Sequence, residues 1–221
     1  MSGTYYGTIS ASANITLDSI PRASSVSAGN MTMGTAGKIN ISRASSSFTH
    51  TLTYSFGNTS GTIATKTTAT SVSWTPALSL ASQIPNATSG TCTITCTTYN
   101  GNTNIGSKTC TLGLSVPASV KPTISSLTAS RIDGEVPSAW GIYVQTKSKV
   151  KLTINGAAGS YGSTIKSYSI TGGGYSGSAS TLTTGFLNNS GTITFKATVT
   201  DSRGRVSAEA SVSITVTAYS P

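Results

Sequence analysis

The chain contains two copies of one pattern, about a hundred residues apart. The stretch SGTCTITCTTYNGNTNIGSKTCTLGLSV, residues 89–116, matches SGTITFKATVTDSRGRVSAEASVSITV, residues 190–216. Both begin with Ser-Gly-Thr, alternate polar and apolar residues through a strand, cross a glycine-containing turn and alternate again. Further upstream, GKINIS matches VKLTIN and LTYSFGN matches KSYSITG, in the same order. A repeat of this length and alternation predicts a β-sandwich domain with about seven short strands.

The composition supports an all-β fold. Of the 221 residues, 36% are hydrophobic, 9% are charged and 23 are glycine. Thr and the β-branched residues suit strands, whereas Gly, Asn and Ser suit turns. We therefore predict two tandem β-sandwich domains, at residues 19–117 and 118–221, after an N-terminal arm or hairpin at residues 1–18. The junction SVPASVKPT contains two prolines and predicts a short, stiff linker; the arm is our first expectation for a docking element.

The period of two in the repeated strands predicts which residues face the core. In the second copy these are Ile193, Phe195, Ala197 and Val199. In the first copy Cys92, Ile94 and Cys96 take their places, and we expect Cys110 to take the place of Ala210. An odd number of cysteines cannot all pair within one chain. A disulfide from Cys110 to Cys92 or Cys96 stays open, but a register that places Cys110 opposite Ile94 favours three free thiols.

The net charge and the absence of targeting segments narrow the class of protein. The formal charge is +9, from 14 Lys and Arg against 5 Asp and Glu. Because most of the bases are spread along the chain, we predict a mildly basic solvated surface and no nucleic-acid partner. The opening MSGTYYGTISAS lacks the features of a signal peptide, and no apolar run is long enough to cross a bilayer. We expect synthesis in a reducing cytosol and no membrane insertion.

The residues that could carry catalysis are few and scattered. The only histidine, His50, lies in FTHTLTYSF, a predicted strand, where we expect it to be exposed or partly packed and not catalytic. Asp133 and Glu135 share one short loop, too local for a glycosidase pair. Cys92 and Cys96 form CxxxC, which with His50 does not complete a zinc site. GGGYSG matches GxGxxG but precedes a predicted strand, not a helix. We predict no catalytic residue, no cofactor site and no metal site.

The segment VTDSRGR, residues 199–205, concentrates charge in a chain with five acidic residues. It lies between the last two predicted strands, where Asp followed by Gly is ordinary hairpin chemistry. We predict that Asp201 accepts hydrogen bonds from the turn amides, with Arg203 and Arg205 in solvent. A binding role for the two arginines is the alternative.

Lysines alternate in TKSKVKLTI, at Lys147, Lys149 and Lys151. Val150 and the apolar residues that follow take the opposite face of this predicted strand. The lysines are therefore candidates for a surface-binding stripe. The alternative is that they improve solubility and protect an exposed sheet edge from pairing.

Aromatic residues offer a second kind of candidate surface. Tyr161 in GSYGS and Tyr175 in GGYSG lie on glycine-rich loops, from which exposed rings could stack on sugar rings. The alternative is that each ring folds back and caps its own sandwich. Trp74 in SVSWTP and Trp140 in PSAWGIYV are expected in the cores.

The second half of the chain resembles a known group of phage proteins. YGSTIKSYSITGGG, followed by TFKATVTDSRGRVSAEASVSITVTAYSP, resembles the repeated immunoglobulin-like modules of minor structural proteins of tailed phages, especially siphophages. VPASVKPTISSLTASR and ITLDSIPRASSVS are similar to segments that flank such modules. The resemblance implies immunoglobulin-like sandwiches in a tail, baseplate or fibre. It implies a virion protein made in the cytoplasm of the bacterial host, with no catalytic residue to carry over.

These observations predict a non-enzymatic virion structural protein that contacts the host cell surface, including its polysaccharide. Its expected partners are other virion proteins and further copies of itself, since virions are symmetric. Two other classes stay open: a capsid or tail-tube decoration protein without a receptor role, and a bacterial surface adhesin or carbohydrate-binding module. The candidate surface-binding residues are Tyr161, Tyr175, Lys147, Lys149, Lys151, Arg203 and Arg205.

Overall fold

The computed structural model describes Gly3, residues 22–132 and residues 134–220. The predicted arm at residues 1–18 lies outside the described residues, apart from Gly3. In the first half the strands are β1 (Ser25–Ala28), β2 (Met31–Thr32), β3 (Gly37–Ser42), β4 (Thr49–Phe56), β5 (Thr59–Thr67), β6 (Ser71–Trp74), β7 (Ser89–Asn100) and β8 (Thr103–Ser115). In the second half they are β9 (Ser126–Ile132), β10 (Tyr143–Val144), β11 (Lys149–Asn155), β12 (Ile165–Gly172), β13 (Tyr175–Gly177), β14 (Thr181–Thr183), β15 (Gly191–Asp201) and β16 (Ala210–Thr217). Two short 3₁₀ helices cover Leu78–Gln83 and Ser138–Trp140.

Both halves arrange their strands in the same order. The first half has the sheets β1-β3-β6 and β2-β8-β7-β4-β5, and the second has β9-β11-β14 and β10-β16-β15-β12-β13. In each half the first strand, β1 or β9, pairs antiparallel with β3 or β11 in the three-stranded sheet. The next, short strand, β2 or β10, pairs parallel with the last strand of that half, β8 or β16, in the five-stranded sheet. The chain thus passes from one sheet to the other between the first two strands of each half, which is compatible with an immunoglobulin-like sandwich. The prediction of an all-β chain with two tandem sandwiches is confirmed.

Each sandwich has its own core, built from the inward faces of the alternating strands. In β15 the side chains predicted to face inward, Ile193, Phe195, Ala197 and Val199, are all buried. In β7 the equivalent residues Cys92, Ile94 and Cys96 are fully buried. The period of two therefore placed these core positions correctly, because successive side chains of a strand point to opposite faces.

The three cysteines are free thiols. Cys110 lies opposite Ile94 in the β7–β8 ladder, as predicted, so neither of the other cysteines faces it directly. Cys92 and Cys96 are buried and Cys110 is half-buried. Burial raises the pKa of Cys92 and of Cys96 to about 11, and it also raises the pKa of Cys110. The three thiols behave as small core residues and not as nucleophiles.

The expected match between Cys110 and Ala210 is wrong by two positions. Val212 lies opposite Phe195, the structural equivalent of Ile94, whereas Ala210 lies opposite Ala197. The cause is the connection between β15 and β16, which turns tightly at residues 202–204 and pairs Thr200 with Val206, but then carries residues 207–209 outside the ladder before β16 begins at Ala210. This longer connection has a separate role at the junction of the two sandwiches.

The strand directions define two ends of each sandwich. The leading end holds the connection between the last two strands, β7–β8 or β15–β16. The trailing end holds the exit of the last strand, β8 or β16, and the segment that precedes β7 or β15. The leading end of the second sandwich meets the trailing end of the first, next to the linker, residues 116–125.

Candidate functional site

Asp201 organises the β15–β16 connection at the leading end of the second sandwich. Its side chain is fully buried, and its Oδ1 accepts hydrogen bonds from the backbone N–H of Arg203 at 3.0 Å and of Arg205 at 2.9 Å. Gly204 supplies the left-handed backbone of the turn, with φ of 79°, and donates its N–H to the carbonyl of Asp201. The predicted role of Asp201 as acceptor for the turn amides is confirmed.

Arg203 binds both sandwiches at once. Towards the first, Nη2 donates to the carbonyl of Ala81 at 2.8 Å and Nε to that of Ile84 at 3.3 Å. Within its own sandwich, Nη1 donates to the carbonyl of Ser160 at 2.6 Å and Nη2 to that of Tyr161 at 2.7 Å. Only 7% of Arg203 is exposed. The prediction that it lies in solvent is wrong.

Arg205 binds the linker. Its Nη2 donates to the carbonyl of Val116 at 2.6 Å, and its Nη1 donates to the carbonyls of Val120 at 2.8 Å and of Pro117. The side chain is half-buried, so the prediction of a solvated arginine is wrong here as well. A planar guanidinium with five donors can bind several carbonyls at once, here three along the linker.

We name residues 201–205 the arginine loop. A further contact in it joins the two sandwiches directly, since Ser202 Oγ donates to the carbonyl of Pro85 at 2.6 Å. Burial lowers the pKa of Arg203, and the nearby Asp201 carboxyl opposes that effect. The hydrogen bonds of the two guanidinium groups end on carbonyl oxygens of this chain, so the arginines serve the junction and are not an open surface for an outside ligand.

Of the three lysines in the predicted stripe, only two lie on a strand. Lys147 precedes β11 in a turn, where it forms an ion pair with Glu135 at 2.5 Å, whereas Lys149 and Lys151 lie on β11 itself. β11 is the central strand of its sheet, with β9 on one side and β14 on the other. The alternative of edge protection is therefore wrong. Lys151 is exposed on the outer face of this sheet.

The two loop tyrosines lie in different environments. The hydroxyl of Tyr175 donates to the carbonyl of Phe186 at 2.5 Å, and its ring packs partly against the core of the second sandwich. Tyr175 thus follows the alternative in which the ring folds back. Tyr161 is 40% exposed and lies at the junction, where its carbonyl accepts from Arg203.

Exposed apolar side chains concentrate at the trailing end of the second sandwich. Of six large hydrophobic residues exposed among residues 22–132 and 134–220, four lie there: Trp140, Ile142, Phe186 and Tyr219. Trp140 is 63% exposed, so its expected place in the core is wrong. It lies among residues 134–142, between β9 and β10, whereas the first sandwich has two residues at this point. Trp74 is half-buried and packs against Tyr54, with ring centroids 5.0 Å apart.

We name this surface the aromatic end. Its cavity of about 280 Å³ is lined by Glu135, Val136, Trp140, Val144, Lys147 and Tyr219. The Lys147 ammonium lies 5.2 Å from the centroid of the Tyr219 ring, and the Lys149 ammonium lies 4.6 Å from that of Phe186. Cation–π contacts at these distances hold the exposed rings in defined positions.

His50 is fully buried in the first sandwich, contrary to the expectation of an exposed or partly packed residue. Its Nε2 lies 2.9 Å from Ser24 Oγ, and Ser24 is buried as well. Desolvation by burial lowers the pKa of His50, while a backbone hydrogen bond at Thr67 opposes that effect. A histidine and a serine enclosed in this way have no access to a substrate, so the pair is structural.

The buried His50 makes the first sandwich sensitive to mild acid. Because its folded pKa lies below the ordinary value of 6.5, protonation favours the unfolded chain. We expect full stability above about pH 6.5 and a loss as the pH falls below it, with at most about 1.4 kcal/mol per pH unit from this one proton. Denaturant titrations between pH 7.5 and pH 5 measure the slope. His50→Gln does not titrate there and should show a flatter profile; equal slopes in both proteins would contradict the assignment.

The described part of the chain contains neither a cluster of metal ligands nor a membrane-spanning helix. Nowhere in residues 22–132 and 134–220 do three His, Cys, Asp or Glu side chains come together as metal ligands. No described helix is long and apolar enough to span a membrane.

The strand order and the junction define a chain of two immunoglobulin-like β-sandwich modules held end to end. The family described as siphovirus protein of unknown function (DUF859) matches residues 1–221, and the chain belongs to this family. The resemblance to siphophage proteins is thereby confirmed. Family membership suggests a phage structural protein and a component of the virion.

Solved structures of tandem β-sandwich modules match most of the chain at low identity. The fibronectin(III)-like modules of Clostridium thermocellum CbhA match with 19% identity and a TM-score of 0.37, over 87% of this chain and 94% of that one. Domains FN1–FN3 of chicken CNTN1 match with 8% identity and a TM-score of 0.32, over 89% of this chain and 68% of that one. Domains A168–A170 of titin match with 17% identity and a TM-score of 0.32, over 86% of this chain and 62% of that one. No curated protein sequence matches significantly.

Proposed function

We propose that the chain is a non-enzymatic structural element of the siphovirus particle, in its tail, baseplate or fibre. The observation that carries this proposal is the arginine loop. Its two guanidinium groups make seven hydrogen bonds, to the first sandwich, to the linker and to their own sandwich. Domains joined by a short linker move relative to one another unless their interface is strong. Here the arginines oppose such motion, and the two modules form a stiff unit.

A stiff unit of two modules suits a part that keeps other parts of a particle at a fixed distance. Charge-assisted hydrogen bonds to carbonyls are short and about twice as strong as neutral ones. Apart from the bond to Pro117, the hydrogen bonds of Arg203 and Arg205 are between 2.6 and 3.3 Å long. The linker is held at Val116 and Val120, so bending there would break contacts with Arg205.

Immunogold electron microscopy of purified siphovirus particles tests the proposal. Gold at the tail tip, baseplate or fibres is the expected result. Gold along the capsid or tail tube would favour the decoration protein instead. Gold on uninfected cells but not on particles would favour the bacterial adhesin, and would contradict a virion role.

The finer part of the proposal is contact with the host surface, including its polysaccharide. Of the residues predicted from sequence, Lys151 and Tyr161 keep exposed side chains, and these support such contact. We expect Tyr161→Ala and Lys151→Ala each to lower retention of the purified chain on host cell walls by about tenfold, which corresponds to about 1.4 kcal/mol. Tyr175→Phe is the control, because it keeps the ring that packs against the core and removes only a hydroxyl that already donates to the Phe186 carbonyl. Unchanged retention in both variants would remove these residues as contacts.

A further inference from the structure

The two sandwiches share one topology, but their trailing ends have different surroundings. At the first, the carbonyls of Ala81, Ile84 and Pro85 accept hydrogen bonds from the arginine loop. The exit of β8, at Val116, is bound in the same way by Arg205. The trailing end of the second sandwich carries exposed apolar side chains instead.

The strand registers show which parts of the two trailing ends correspond. Cys92 pairs with Leu112 in the first sandwich, and its equivalent Ile193 pairs with Ile214 in the second. The register therefore aligns residue 116 with residue 218, and residues 218 and 219 take the places of Val116 and Pro117, two of the three linker residues whose carbonyls Arg205 binds. In the same way Phe186, five residues before β15 begins at Gly191, corresponds to Pro85, five residues before Gly90 in β7.

The composition of the aromatic end is that of an interface core. Trp, Tyr and Phe are enriched where proteins meet, and clustered exposed apolar side chains mark contact sites. Trp140 and Tyr219 are 63% and 47% exposed and border the cavity of about 280 Å³. Lys147, paired with Glu135, and Lys149 hold the neighbouring rings in place, so the surface is already formed.

We propose that the aromatic end docks the leading end of another β-sandwich module, whose loop donates guanidinium hydrogen bonds to the backbone around residues 218–220. The junction already present in the chain shows this mode of contact. The first sandwich of a second copy does not fit, because its β7–β8 turn at Gly101–Asn102 carries no arginine. The second sandwich of another copy has its arginine loop engaged. The partner is therefore a further module with an arginine-bearing loop, and this inference rests on the proposed place of the chain in the particle.

Hydroxyl-radical footprinting of the isolated chain and of purified particles tests this proposal. We expect oxidation of Trp140 to slow by about an order of magnitude in the particle, as for a tryptophan buried in an interface. Tyr161, at the opposite end of the same sandwich, is the matched control and should react equally in both. Lysine-specific cross-linking of particles should then join Lys147 or Lys149 to a peptide beside an arginine-bearing loop of a β-sandwich.

The outcomes separate this inference from the proposed function. Absence of the chain from particles would overturn both. A chain that is present in the particle, with Trp140 as reactive as in isolation, would overturn the inference alone. Cross-links to the aromatic end of a second copy, or to a protein without a β-sandwich, would also overturn it. So would protection of Trp140 in the isolated chain by host cell-wall polysaccharide, because the surface would then belong to host contact.

Discussion

Replacing Arg203 by alanine should lower the free energy of unfolding by about 3 kcal/mol or more and uncouple the two sandwiches. The side chain is buried and its four hydrogen bonds link both sandwiches. Its removal takes a charged donor away from four carbonyls at the junction, and a hydrogen bond to a charged group contributes about 1.5–3 kcal/mol. Calorimetry measures the loss and shows whether one transition becomes two, and small-angle X-ray scattering reports the freer motion between the modules.

Two further variants separate the geometry of Arg203 from its charge. Arg203→Lys keeps the positive charge but replaces the planar fork by one ammonium, so it should lose more than half of the stabilisation. Lys151→Ala removes a charge from an exposed position and should change stability by less than about 0.5 kcal/mol. If Arg203→Ala were indistinguishable from Lys151→Ala, the arginine loop would not hold the sandwiches together.

Replacing Asp201 by alanine should cost about 2–4 kcal/mol, although the hydrogen bonds of this side chain stay within its own turn. Its Oδ1 accepts the backbone N–H groups of Arg203 and Arg205 inside a buried turn. Without that acceptor the turn loosens and both guanidinium groups lose their positions. Chemical denaturation measures the loss, and hydrogen exchange at the Arg203 and Arg205 amides should accelerate.

Asp201→Asn is the matched control, because an amide keeps one oxygen that can accept the same N–H groups. It should retain more than half of the stability that the alanine variant loses. The double variant Asp201→Ala, Arg203→Ala should cost less than the sum of the two single changes, since both remove the same junction. Strict additivity would mean that Asp201 and Arg203 act independently.

The parts of the fold that could be predicted depend on local periodicity. Alternation along β15 placed Phe195 and its neighbours in the core, and alternation along β7 did the same for Ile94 and the two cysteines beside it. The turn chemistry of DSRG identified Asp201 as an acceptor of backbone N–H groups. Each of these inferences needs only neighbouring residues or one adjacent strand.

The parts that could not be predicted depend on contacts between distant segments. Arg203 reaches carbonyls about 120 positions earlier in the chain, and no turn pattern contains that information. Trp140 is exposed because it lies on a long connection, although tryptophan favours buried sites in general. A tandem repeat with arginines on a leading loop, close to the linker, was the signal that could have suggested the junction.

The junction requires few particular side chains from the first sandwich. The seven guanidinium hydrogen bonds described for Arg203 and Arg205 end on main-chain oxygens. Ala81 and Val116 belong to the core of the first sandwich, but it is their backbone and not the identity of their side chains that presents the acceptor oxygen. The joint therefore recognises the course of a backbone and tolerates divergence of the side chains around it. Modules of unrelated sequence could be recombined in front of such a loop, and the joint would still form.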